Sequence, residues 1–152
     1  MLKKLQQLIR YCKTIASDKP DVPKPHIVAD KEQGTSALNS PSIKGPQTII
    51  ALPLASFAGD CDNPTGSFTV VIFALEKGLE QSGTESKYVD QYLATIELLG
   101  QLLEKFLSDM GGSTTTSSCP ILNGMEISEC IVAPEAGIFG GWNGYSATIT
   151  LK

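Results

Sequence analysis

Histidine is almost missing from this chain of 152 residues: only His26 carries an imidazole, and it stands in the proline-flanked sequence VPKPHIV. Nucleophilic catalysis of the Ser-His or Cys-His kind needs a base beside the nucleophile, so this scarcity leaves one candidate base, in a segment expected to be an exposed loop. There is no C-x-x-C among Cys12, Cys61, Cys119 and Cys130, so the usual zinc-ligand spacing is lacking. Neither G-x-S-x-G nor H-E-x-x-H occurs. No apolar run approaches the roughly 20 residues of a membrane-spanning helix. The opening MLKKLQQLIR is basic, but Gln, Arg and Lys interrupt its apolar positions and no small-residue cleavage site follows, so secretion by a signal peptide is not expected. The cysteines are accordingly expected to be reduced thiols, with disulfides left open by their even number.

Acidic residues are absent from the first 17 positions, where Lys3, Lys4, Arg10 and Lys13 stand, whereas the rest of the chain sets eight lysines against 16 acids. Such a body does not favour nucleic acid, whose phosphates need clustered Lys and Arg. The four N-terminal cations lie on the polar side of a repeat formed by Leu2, Leu5, Leu8, Ile9, Cys12 and Ile15, which predicts an amphipathic helix over 2–17. Its basic face is either solvated or docked on an acidic neighbour, with a protein ahead of a membrane.

Five prolines and few large apolar residues between Lys19 and Pro46 predict an extended arm rather than a packed element. TIIALPLASFA and SFTVVIFALE, joined by GDCDNPTG, predict a long β-hairpin over 48–76. Both alternating sets of the second strand are apolar, as in a central strand, and Pro53 predicts an edge position or a bulge in the first. Ser82 and Glu85 have capping-box spacing before a helix over 86–110, whose apolar face runs from Val89 to Met110 and stops at two glycines. GGSTTTSSCP reads as a linker, and strands are expected at 125–133 and 144–152, the last with one polar, wet face. The whole is a single domain of α+β class. It comprises a helix at 2–17, an arm at 19–46 and a body at 47–152, in which one long helix packs on a mainly antiparallel sheet of about four strands.

Candidate chemistry is thin. Asp60, Asp62 and Asn63 crowd oxygens into one turn, but an EF-hand frame begun at Asp60 puts Pro64, Thr65 and Val71 where a ligand, a glycine and the closing glutamate belong. GIFGGWNG lacks the lysine of a P-loop. Cys61, with Asp60 or Asp62 beside it, is the remaining basis for a thiol enzyme. No catalytic set, metal or cofactor is therefore expected. Ile138, Phe139 and Trp142 place three large apolar groups among glycines where a turn is normally polar. If they fold back they cap the core; if they project they are partner anchors, which would also suit a small adaptor domain.

The order helix, arm, hairpin, helix, hairpin, with SKYVDQYLATIELLGQLLEKFL as central helix and GWNGYSATITLK as closing strand, resembles the small tail-terminator and neck proteins of tailed bacteriophages and related contractile tails. That resemblance implies a non-enzymatic virion subunit, assembled in the host bacterial cytoplasm. It also implies a ring, usually a hexamer, that caps the tail tube and meets tube or connector proteins while DNA passes through without specific binding. The acidic body suits such a channel. The partner-facing residues expected are Ile138, Phe139 and Trp142 at the tip and Lys3, Lys4, Arg10 and Lys13 on the first helix.

Overall fold

The computed structural model describes residues 2–17, 19–60, 62–78, 85–110, 122 and 125–152. Helix α1 spans Leu2–Thr14, strand β1 His26–Val28, helix α2 Lys31–Leu38, strand β2 Gln47–Asp60, strand β3 Asn63–Lys77 and helix α3 Glu85–Met110; strand β4, Ile127–Gly137, is joined to strand β5, Trp142–Leu151, by the single turn α4, Ile138–Gly141. One five-stranded sheet has the order β1-β2-β3-β5-β4. All its pairings are antiparallel except that of β1 with β2. The α+β class, the long helix and the mainly antiparallel sheet stand as expected, and the about four strands become five through the parallel edge strand β1.

β3 is central, with β2 and β5 as neighbours. Its Phe68, Val70, Ile72 and Ala74 point to one face, where they join Ile50, Ala147, Ile149 and Leu151 beneath Leu99, Leu102 and Phe106 of α3. α1 shares that face through Leu8, Tyr11, Cys12 and Ile15. Tyr11 meets Phe106 edge-on at 5.7 Å and donates its hydroxyl proton to Asp109 Oδ2 at 2.7 Å. The N-terminal helix is thus docked on its own body. The β2 ladder shifts register between Ala51 and Leu54, around Pro53, where the missing N–H disfavours a regular pairing.

The arm is corrected. Residues 19–46 do not form an unpacked extension: β1 adds a parallel edge strand beside β2, and α2 packs on the sheet face opposite α1 and α3. Asp30 caps α2 by accepting the Gln33 N–H at 2.8 Å, while Gln33 Oε1 reaches back to the Ala29 N–H at 2.8 Å. This reciprocal pair satisfies two backbone donors that a helix start otherwise orphans. His26 lies in β1, half-buried, its Nε2 3.4 Å from Gln47 Oε1, and not in an exposed loop. The face of β5 expected to be wet is also partly closed, since Ser146 is buried with its hydroxyl donating to Glu135 Oε1 at 2.7 Å. The capping box at Ser82, the Ser/Thr-rich linker, Cys61 and Cys119 fall outside the described residues.

Candidate interaction surfaces

The glycine-rich tip folds back. Phe139 has φ 47° and ψ 38°, a left-handed conformation that costs an L-residue about 1–2 kcal/mol. The surroundings hold it there. Its ring lies edge-on to Phe73 at 5.3 Å and against Gly34 of α2, where a Cβ would come within 2.5 Å of the ring. Asn39, the C-cap of α2, donates from Nδ2 to Phe139 O at 3.1 Å, and Lys77 Nζ donates to Gly140 O at 3.1 Å. Phe139 is 7% exposed and Trp142 2% exposed, and with half-buried Ile138 they close a second core around Val28, Leu38, Ile49 and Leu75. Phe139 and Trp142 are thus turned into the chain's own core instead of projecting toward a partner, with Ile138 half-buried beside them. They need no partner to leave water because α2 covers them.

The tip is also tied to the long helix. Gln91 Nε2 donates to Lys77 O at 2.6 Å, Asn143 Nδ2 donates to Gln91 Oε1 at 3.3 Å, and the Gly137 N–H donates to Asn143 Oδ1 at 2.8 Å. Gln91 is buried, and this chain of bonds satisfies its amide. Lys3, Lys4, Arg10 and Lys13 all lie exposed on α1, away from its buried face, as an amphipathic helix requires.

Exposed large apolar side chains gather elsewhere. One group follows β4 and the adjoining flank of α3. α3 lies over β3 and β5 and leaves β4 uncovered, so Val132, which shares a face with Ala147, is exposed, as is Ile131 on the opposite face. Beside it, Tyr92 donates its hydroxyl proton to Glu135 O of β4 at 2.9 Å and stacks edge-on with Tyr145 at 5.7 Å. On that side of α3, Val89, Leu93 and Leu107 continue the apolar face outward past Ile96 and Leu103, with Leu93 58% exposed. The second group is on the β2–β3 hairpin. Beyond Phe68, where pairing with β5 ends, five residue pairs from Ser56↔Ser67 to Asp60↔Asn63 form a two-stranded ribbon about 16 Å long. Leu52, Leu54 and Phe57 on and near this ribbon are exposed, Leu54 at 66%.

Reactive groups are few among the described residues. Burial pushes the Cys12 thiol up to about 12, against an ordinary 9.0, so it is not a thiolate near neutrality. Desolvation also raises the exposed Cys130. The Tyr92 hydroxyl is pushed up to about 12 by desolvation and by the neighbouring Tyr88, whose hydroxyl is 3.2 Å away. Asp60 and Asp62 are exposed, and no group of three metal-binding side chains occurs among the described residues. No helix there is long and apolar enough to cross a membrane.

Two cavities flank the second core. One of about 440 Å³ opens between Val28, Ala51, Phe73 and Phe139, with Asp30, Lys31 and Glu135 on its walls; another of about 430 Å³ lies against Trp142. Sequence reading missed Gly34, Asn39 and Lys77, which hold the tip, although the D-x-x-Q run from Asp30 to Gln33 was a readable sign of the helix that carries two of them. No protein-family model matches the chain, and no curated protein is significantly similar to it.

Proposed function

We propose that this chain is a structural subunit that assembles head-to-tail with copies of itself into a closed ring. The observation that carries this is the separation of its exposed apolar groups into two unlike patches: the β4 edge with the α3 flank, and the projecting ribbon. Two different patches on one protomer are what a heterologous contact uses, and such contacts close into rings when the rotation permits. Among the described residues β4 has one neighbour, β5, so its outer N–H and C=O groups form an open edge able to take another strand. The outer edge of β2 beyond Ala51 is likewise unpaired with β1. The arm and the tip lend this function no support, because both pack against the chain's own body.

The finer identity proposed is a phage tail-terminator or neck subunit, non-enzymatic, in a virion ring that contacts tube or connector proteins. It rests on the likeness of element order and on the acidic body, which suits a channel for sliding DNA. The Cys61 thiol enzyme has no described site, and an adaptor using the tip loses its exposed anchors to burial.

The assembly state tests the proposal. Mass photometry and sedimentation velocity should find rings that grow in with concentration. Val132→Lys spoils one patch and Leu54→Lys the other, so each variant alone should be monomeric. Mixed, the two should give a heterodimer through their intact patches. A chain that stays monomeric at high concentration, or variants that assemble unchanged, would refute the ring.

A further inference from the structure

The cavity of about 430 Å³ beside Trp142 is bounded by the C-terminal end of α2, the segment that follows it, the end of β3 and the start of β5. Trp142 is 2% exposed, and its buried indole Nε1–H meets no acceptor among the described residues. Buried indole donors nearly always find a partner, so this one implies something that the described residues do not supply. A water needs only a small fraction of this space. Lys77 stands over the ring, with Nζ 5.9 Å from its centroid. Two of its three ammonium protons go to Asn39 Oδ1 at 2.9 Å and to Gly140 O at 3.1 Å, leaving one donor. Lys44 adds a second cation on the wall against the single carboxyl of Glu76, and Leu38 and Ile43 supply apolar surface.

We propose that this cavity binds a small carboxylic acid with an apolar body, the carboxylate taking the Trp142 indole proton and the remaining Lys77 proton while the body lies on Leu38 and Ile43. An unpaired indole donor and a charged donor lining the same cavity, beside an apolar wall, are the usual make-up of a site for such a molecule.

Trp142 is the only tryptophan, so its indole signal reports this cavity alone. Benzoate is the probe, titrated against the full chain at constant ionic strength and followed by the indole ¹H–¹⁵N resonance and by fluorescence. A saturable downfield shift is expected. Benzyl alcohol, of the same shape but uncharged, should bind about tenfold more weakly. Lys77→Met should weaken benzoate by a similar factor and Lys77→Arg should restore much of the affinity. An indole resonance that benzoate leaves unmoved, as for a site that holds water only, overturns the proposal. So does an equal response to benzyl alcohol or in a folded Lys77→Met chain. If Lys77→Met does not fold, the comparison of benzoate with benzyl alcohol on the natural chain decides alone.

Discussion

Phe139 offers a test in which the usual order of two substitutions reverses. Its side chain is buried and its backbone is left-handed, at φ 47°. Truncation to alanine or to glycine removes the same ring from Phe73 and Gly34, at a shared cost of about 3–5 kcal/mol. The two then differ in the backbone. In an ordinary helix or strand glycine is the poorer choice by roughly 0.5–1 kcal/mol, because it loses more freedom on folding. Here alanine carries the left-handed penalty of about 1–2 kcal/mol and glycine does not. The difference leaves Phe139→Gly more stable than Phe139→Ala by about 0.5–1 kcal/mol. With a urea dependence of about 2 kcal/mol per molar, that is a midpoint higher by about 0.3–0.5 M. Equilibrium urea unfolding of both variants, followed by far-UV circular dichroism, measures it. An alanine variant as stable as the glycine variant, or more so, would refute the left-handed turn and with it the folded-back tip.

Three further outcomes follow from named contacts. Asp30→Ala removes the cap of α2 and should cost about 1 kcal/mol, seen as faster amide hydrogen exchange in residues 31–38 than elsewhere. Gly34→Ala drives a methyl group into the Phe139 ring and should lower the urea midpoint by an amount worth about 1–3 kcal/mol, whereas at Gly100, where nothing lies within 4 Å, the same change should be tolerated. Cys12 gives a dependence on pH: above 9.0 the unfolded thiol releases its proton, while the folded one keeps it until about 12, so the unfolded state binds fewer protons and stability falls as pH rises through that window. The loss is at most about 1.4 kcal/mol per pH unit, and Cys12→Ala should flatten it in urea midpoints taken on either side of pH 9.0.

The long helix was legible because its apolar residues keep a 3.6-residue period across Glu85–Met110, and the β2–β3 hairpin because two largely apolar stretches, the second rich in β-branched and aromatic residues, flank a turn. Pro53 marked its own bulge. α2 was not legible by the same rule, since it has eight residues, a glycine within it, and only Leu38 as a large buried side chain. What stabilises it lies far along the chain: Asn39 bonds to Phe139, 100 residues away. The tip failed for the converse reason. Three apolar groups among glycines look surplus until the helix that covers them is known, so missing α2 also misplaced Phe139 and Trp142. β1 is three residues set among prolines, and its parallel pairing with β2 has no local signature. The apolar surface of β4 was hidden by its likeness to core strand sequence, because exposure there depends on α3 lying over β3 and β5 instead.

The sheet order has a bearing on how fast the molecule is made. β3 finds its second neighbour, β5, only after the intervening residues 78–141, which include α3 and β4, so the central ladder closes one of the longest loops in the chain. Local pieces, the β2–β3 hairpin and α3, have little to wait for, whereas the second edge of β3 stays unpaired until β5 arrives. A newly made chain therefore passes through a stage with one edge of its central strand open, and refolding should slow down and lose yield to aggregation as concentration rises.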